Sequence, residues 1–274
     1  MTESREGVKL KKQLFAVAAL CGLASQARAT ALLNDGFTYS DGAIETVSAG
    51  AWTIHSAGAT PLSITSNKAV INQGDTGSGK ADANRLFNGG TTYDPTTDNT
   101  SILYSSFTVN FSALPVAGDS DGSYFAHFKT NGASQFYGRV SATTNGAAAG
   151  AFRVGITGAS STVANTIEFP LDLALNTDYT VVTRLDLSTD KATLWINPTT
   201  EASTSVTSVD VIPYAGLLNS YALRQGVSGT GAPGVLTVDN LAVATTFAEV
   251  VPEPGSLSLA AVGALGLVRR RRHR

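Results

Sequence analysis

The chain has 274 residues, of which 15% are charged, and a formal net charge of −2. This value hides an uneven distribution, because nine Lys and Arg stand against 18 Asp and Glu between residues 30 and 250, which gives this central part a net charge of −9. Such an acidic surface argues against binding to nucleic acid or anionic lipid. The central part is long enough for one domain with a sizeable hydrophobic core.

Residues 1–29 have the three parts of a secretory signal peptide. A basic region comes first, and an apolar stretch follows at residues 14–23. Ala27 and Ala29 then supply the small-x-small pattern of a signal cleavage site. We predict cleavage after Ala29 and therefore an exported protein.

Cys21 is the only cysteine in the sequence and lies within this segment. Its removal leaves a mature chain without a disulfide, a thiolate metal site or a cysteine nucleophile. A lipoprotein with Cys21 as its lipidated N-terminus is the alternative. Leu20 argues against it, because such a signal has a small residue immediately before the cysteine.

The central part is predicted to be all-β, because it is rich in Gly, Ser, Thr and Ala and poor in the Lys and Glu that favour helices. Phe107, Val109 and Phe111 share one face of a predicted strand at residues 106–112. This alternation is typical of a half-buried strand.

A second alternating segment at residues 179–187 places Arg184 and Asp186 on its outward face. Further short runs, many of them separated by turn-forming residues, predict additional strands. These candidate strands are 51–55, 62–66, 69–72, 124–129, 136–141, 152–157, 192–196, 221–226 and 236–243. No internal repeat is visible, and no stretch of the central part has the apolar stripe of a helix.

These features predict a single antiparallel β-sandwich over residues 30–247. Residues 245–251 are expected to leave the sandwich and lead to the C-terminal segment. Trp52 and Trp195 are interpreted first as core or rim aromatics, and sugar-stacking platforms are the alternative.

Residues 74–80 match the Gly-x4-Gly-Lys part of a phosphate-binding loop. Ala81 stands where a Ser or Thr would bind magnesium, and the segment that follows is too rich in Gly and Asn for the required helix. We interpret residues 74–80 as a surface loop.

Asp119 and Asp121 lie two residues apart beside Gly122, and carboxylate oxygens suit Ca²⁺. The segment lacks the glutamate of an EF-hand loop, because Thr130 occupies that position. A turn between strands uses the same residues for conformational reasons. Calcium at Asp119 and Asp121 is the alternative to such a turn, and no other cofactor is expected.

His127 lies in a predicted strand, opposite Tyr124, Ala126 and Phe128 if the strand is regular. Neither His127 nor His55 belongs to a recognisable Ser-His-Asp or cysteine-histidine arrangement. Both are interpreted as structural or exposed side chains.

Residues 179–187, followed after a turn by a strand that ends in Leu-Trp-Ile-Asn-Pro, are similar to a hairpin of concanavalin A-like and laminin G-like jelly-roll domains. Residues 236–243 are similar to the closing strand of these domains. The resemblance implies a jelly roll, a fold in which many members bind or hydrolyse polysaccharides.

The catalytic signature of such hydrolases is missing from the sequence. Laminarinase-like members carry their paired carboxylates as Glu-x-Asp-x-x-Glu, but no glutamate between residues 30 and 250 has an Asp two residues later. Glu168 and Asp172 are separated by Pro170, which disfavours a regular catalytic strand. We therefore predict no enzymatic activity, with a polysaccharide-active hydrolase that uses an unrecognised site as the alternative.

The C-terminal segment, residues 248–274, combines a short motif, an apolar run at residues 255–268 and a basic tail at residues 269–274. The motif consists of Pro252, Glu253 and Pro254. The cations of the tail are Arg269, Arg270, Arg271, Arg272 and Arg274. As a helix, the apolar run would span roughly 21 Å of a hydrocarbon core about 30 Å thick, so it is a marginal anchor.

The basic tail is expected to remain in the cytoplasm, so that the preceding domain lies outside. The whole segment resembles the PEP-CTERM sorting signal of Gram-negative envelope and matrix proteins. The resemblance implies that a membrane-embedded exosortase recognises Pro252, Glu253 and Pro254 and processes the tail. A plain membrane anchor with a chance Pro-Glu-Pro is the alternative.

The sequence thus predicts an exported protein of the cell envelope, cell surface or extracellular matrix. An exosortase-type enzyme would process an intermediate anchored in the inner membrane. The sandwich is predicted to bind an extracellular polysaccharide or to have a structural role.

Overall fold

The structure is a computed structural model that describes residues 31–73, 79–115, 124–132, 134–225 and 234–251. The strands in this part of the chain are β1 (Leu33–Asp35), β2 (Gly42–Ala43), β3 (Trp52–Ser56), β4 (Ser63–Thr65), β5 (Lys68–Asn72), β6 (Asp82–Leu86), β7 (Ile102–Ala113), β8 (Tyr124–Thr130), β9 (Phe136–Thr143), β10 (Ala151–Thr157), β11 (Ile167–Glu168), β12 (Leu173–Ala174), β13 (Asp178–Asp186), β14 (Lys191–Ile196), β15 (Val206–Thr207), β16 (Leu218–Leu223) and β17 (Val235–Ala244). Two helices of one turn each accompany them, α1 (Ile44–Val47) and α2 (Phe247–Val250), with 3-10 turns at Asn88–Gly90 and Val163–Asn165.

The described strands pair into two antiparallel sheets. The larger sheet has the order β15-β14-β13-β7-β17-β5-β4-β2, and β1 also pairs with β17. The smaller sheet has the order β11-β10-β9-β8-β16-β6-β3, and β12 also pairs with β10. Both sheets contain neighbouring strands that are far apart in the sequence, so distant parts of the chain pack together.

The core lies between the two sheets, where alternate residues of each strand meet. Phe107, Val109 and Phe111 of β7 are at most 1% exposed, as their alternation predicts. The rings of Phe111 and Phe152, which come from opposite sheets, are 4.3 Å apart. Burial of each large apolar side chain contributes about 1.5–3 kcal/mol. The predicted antiparallel β-sandwich is confirmed.

A second, smaller apolar cluster covers the other face of the larger sheet. Tyr104, Val182, Trp195 and Ala244 form its sheet side, which we call the α2 seat, and α2 packs on it. The prediction that residues 245–251 leave the sandwich is therefore wrong. The physical reason is that the apolar side chains of this segment find an apolar surface on the sheet.

Most strands occur where the alternation predicts them, including the hairpin of β13 and β14, in which Val181 is paired with Ile196. Asp186, which we expected to face outward, is only 8% exposed. Its carboxylate turns into the tight turn after β13 and accepts hydrogen bonds from the backbone N–H and the hydroxyl of Ser188. Trp52 and Trp195 are buried, in agreement with their interpretation as core aromatics.

Several predicted features lie outside the described residues. These are the signal peptide with Ala27 and Ala29, most of the predicted loop at residues 74–80, the candidate calcium ligands Asp119 and Asp121, and the tail from Pro252 onward. Across the part of the chain that the structure describes, no helix is long and apolar enough to cross a membrane.

Candidate functional site

The candidate site lies on the face of the smaller sheet that points away from the core. β8 is irregular there, because its register against β9 shifts between Tyr124 and Ala126 and again between Ala126 and Phe128. Such bulges re-aim side chains that strict alternation would place on opposite faces. Tyr124 therefore shares a face with His127, their rings 5.3 Å apart, which corrects the expectation that they lie opposite each other.

His127 is completely buried, with its ring 4.5 Å from that of Phe136. Its Nδ1 is 3.1 Å from the carbonyl oxygen of Phe128, which can only accept, so Nδ1 carries the proton of the neutral imidazole. Nε2 then presents a lone pair that has no hydrogen-bond partner among the described residues. Burial, helped by the neighbouring His55, holds the pKa of His127 well below its usual range, so the ring is neutral at pH 7.

His55 approaches this site from strand β3. Its ring is 6.1 Å from that of His127 and 5.8 Å from that of Phe136. Burial, with a smaller contribution from the charge of Lys129, lowers the pKa of His55 to about 4, although the side chain of Asn84 acts in the opposite direction. The two histidines that sequence analysis treated separately therefore form a pair of neutral imidazoles.

Two arginines add positive charge next to the imidazole pair. The guanidinium carbons of Arg139 and Arg224 lie over the ring of Tyr124, at 4.6 and 4.3 Å from its centroid. Arg139 Nε donates to the carbonyl of Phe136, and Arg224 is 3.9 Å from a carboxylate oxygen of Asp82. Stacking on an aromatic ring fixes each guanidinium while its in-plane N–H groups can still donate.

We call this group the basic cluster, and it consists of His55, Tyr124, His127, Phe136, Arg139 and Arg224. Neighbouring Lys129 does not add a free cation, because its Nζ donates to the carbonyls of Thr130 and Gly132. Two guanidinium groups beside neutral imidazoles form an arrangement that favours an anionic ligand, and a planar carboxylate fits the guanidinium fork. The described residues contain no group of three or more His, Cys, Asp or Glu that could hold a metal ion.

The two acidic residues considered for catalysis lie elsewhere on the smaller sheet. Glu168 ends β11, Asp172 precedes β12, and the strand is broken between them, as Pro170 predicts. Arg153 contacts both carboxylates, at 3.7 Å for Glu168 and 2.7 Å for Asp172. Glu168 and Asp172 therefore form an exposed network of ion pairs with Arg153, and this arrangement requires no catalytic role.

The comparison with known families bears on the other end of the chain. The profile of the PEP-CTERM protein-sorting motif matches residues 250–272, which include Pro252, Glu253 and Pro254. The chain carries a PEP-CTERM sorting signal. This motif indicates an exported protein with a C-terminal sorting signal, as the three-part tail predicted, and it implies processing by an exosortase.

Solved structures similar to the chain are β-sandwich proteins of low identity. A sialidase is 11% identical with a TM-score of 0.42, and the match covers 79% of this chain but 19% of the sialidase. The PL7 alginate lyase AlyA1 from Zobellia galactanivorans is 15% identical with a TM-score of 0.44, covering 73% of this chain and 97% of the lyase. The CBM2 module of the evolved Dit protein of Lactobacillus casei BL23 phage J-1 is 9% identical with a TM-score of 0.41, covering 78% of this chain and 94% of the module. No curated protein matches the chain.

Sequence analysis did not find the basic cluster. Its members come from β3, β8 and β9 and from the residue that follows β16, so no local motif joins them. The one local signal was the aromatic-rich segment around His127, and the bulges of β8 disguised which of its side chains share a face.

Proposed function

We propose that this exported protein binds an anionic polysaccharide of the cell envelope or extracellular matrix through the basic cluster, without cleaving it. The membrane-anchored form, held by residues 255–268, precedes release or attachment at the cell surface. The sequence predicted either polysaccharide binding or a structural role, and the charge of the basic cluster supports binding of an anionic polymer.

One observation carries the proposal: Arg139 and Arg224 are both held on the ring of Tyr124 in a chain that is otherwise acidic. Burial lowers the pKa of Arg139, and the charge of Arg224 lowers it further, so the two like charges repel each other. A carboxylate of a uronic-acid polymer bound beside them would offset the repulsion and accept charge-assisted hydrogen bonds. Phe136, which is half-buried, offers an apolar surface next to the bound sugar.

The test is to replace Arg139 or Arg224 by Gln and to measure binding of a polyuronate by calorimetry. A hydrogen bond to a charged group contributes about 1.5–3 kcal/mol, so each substitution is expected to weaken binding by roughly 10-fold to 100-fold. Arg153→Gln is the matched control, because it removes a cation of the same sheet that lies outside the basic cluster and contacts Glu168 and Asp172. Equal loss in the control and in the cluster variants would contradict the proposed site.

Catalysis is the second candidate function, and the Nε2 of His127, which no described residue meets in hydrogen-bond geometry, favours it. A neutral imidazole with an available lone pair can act as a general base toward a bound polysaccharide. Incubation of the purified protein with a panel of neutral and acidic polysaccharides, followed by measurement of new chain ends, separates the two functions. Product that forms with the natural chain and not with His127→Gln would assign catalysis, whereas binding without product supports the non-catalytic function.

A further inference from the structure

α2 joins the sandwich to the sorting signal. Phe247 and Val250 are buried against the α2 seat, and Val251 packs beside them. The ring of Phe247 is 6.0 Å from that of Tyr104 and 5.7 Å from that of Trp195. Because the sorting-motif match begins at residue 250, the last residues held by the sandwich are also the first residues of the signal.

This contact limits how far the sorting motif can reach. An extended chain advances at most about 3.6 Å per residue, so three residues can extend no more than roughly 11 Å beyond Val251 while α2 is docked. An α-helix with its side chains is about 10–12 Å wide, so barely one helix of a membrane enzyme fits into that space. Release of residues 245–251 would add roughly 25 Å of reach.

We propose that α2 is a latch that holds the start of the sorting signal, Val250 and Val251, on the sandwich, and that the processing enzyme acts on the motif only after α2 has left its seat. The proposal rests on the sorting role of the tail and is independent of polysaccharide binding. The partner is a membrane-embedded enzyme that must surround the backbone of residues 252–254.

The structure of α2 suits such a release. It has a single turn, and isolated helices of this length are unstable in water, so it depends on docking. Its own polar contacts are local, since the Glu249 carboxylate accepts hydrogen bonds from the backbone N–H and the hydroxyl of Thr246.

The seat does not depend on α2. Trp195 Nε1 donates to the carbonyls of Glu201 and Ser203, and the Tyr104 hydroxyl donates to the Glu201 carboxylate at 2.6 Å. These bonds hold both aromatic side chains in place from the sheet and its neighbouring loop. The seat would therefore keep its shape when α2 leaves.

A reversible cross-link tests the latch directly. In the full chain with Cys21→Ser, the pair Tyr104→Cys and Phe247→Cys is joined by a bifunctional thiol reagent that contains a cleavable disulfide. Membranes that contain the processing enzyme are then added, and the mass of the chain is followed over time. We expect the cross-linked chain to stay unprocessed and processing to resume when a reductant opens the link. Processing of the cross-linked chain at the rate of the opened one would overturn the proposal.

A second variant tests the same contact without a cross-link. Phe247→Ala weakens docking and is expected to speed processing about tenfold, the factor that corresponds to roughly 1.4 kcal/mol of lost contact. Ala248→Ser is the matched control, because Ala248 is exposed on the same helix and equally near the motif. Unchanged processing of Phe247→Ala, or equal acceleration in the control, would overturn the latch. Absence of processing in the parent chain would overturn the sorting role as well.

Discussion

At the scale of single residues, His127 is the most unusual feature of the sandwich. A buried polar atom without a partner costs free energy, commonly about 1–3 kcal/mol, and His127 Nε2 is such an atom among the described residues.

The imidazole pair predicts a loss of stability in mild acid. The unfolded chain protonates its histidines near pH 6.5, whereas burial lowers the pKa of His55 to about 4 and that of His127 well below its usual range. As the pH falls from 6.5 to 5, the unfolded state gains protons that the folded state does not bind, so the free energy of unfolding decreases. Each histidine contributes at most about 1.4 kcal/mol per pH unit.

Denaturant unfolding of the natural chain and of His127→Gln at several pH values between 7 and 5 measures this effect. The variant is expected to lose less stability over that range, by up to about 1.4 kcal/mol per pH unit. Carboxylates with a lowered pKa, such as Asp186 and Asp210, act at lower pH and do not interfere. Identical pH dependence in both chains would show that His127 is not a buried neutral group.

The sequence predicted the core residues better than the site residues, and the reason is physical. Phe107, Val109 and Phe111 alternate with polar residues, and this alternation within a single strand predicts that they are buried. No local pattern predicts that Arg139 and Arg224 both stack on Tyr124, because this arrangement depends on strand order and on the bulges of β8.

At the scale of strands, the elements with a local apolar alternation were predicted, and those without one were missed. β6 was not predicted, since its buried residues include Asp82 and Asn84 and it lacks an apolar alternation. Strands of two residues, such as β11 and β15, are too short to show any period. α2 was missed because four residues carry no helical stripe, and tertiary packing on the sheet determines its conformation.

The central strand pair of the larger sheet offers a test at this scale. Gly234 stands just before β17 with a φ of +88°, and a Cβ there would be 2.3 Å from the carbonyl oxygen of Ala113 at the end of β7. Gly234→Ala is therefore expected to cost more than the roughly 1 kcal/mol of a positive φ alone, because backbone has to move. Gly150→Ala is the control, since Gly150 has a φ of +80° and a methyl group added there would meet nothing within 4 Å.

Thermal or denaturant unfolding of the two variants distinguishes strain from steric conflict. We expect Gly150→Ala to lose about 1 kcal/mol and Gly234→Ala clearly more. Equal losses would mean that the start of β17 can shift away from β7 without cost.

At the scale of the whole molecule, charge separates the basic cluster from its surroundings. Residues 30–250 carry a net charge of −9, so a polyanion is repelled at long range, and the proposed site at Arg139 and Arg224 would attract it at short range. Salt weakens the attraction and the repulsion together. We therefore expect the affinity for a polyuronate to depend less on salt than that of a basic protein, which titrations at several salt concentrations would measure.

The most direct test of the central claim compares one polysaccharide in two chemical forms. Calorimetric titration of the protein with a polyuronate and with the same polymer after reduction of its carboxyl groups changes only the ligand's charge. The basic cluster predicts binding to the polyuronate and a loss of at least about tenfold in affinity for the reduced polymer. Equal affinity for both forms, or no binding to either, would contradict the assignment of the basic cluster as a site for anionic polysaccharide.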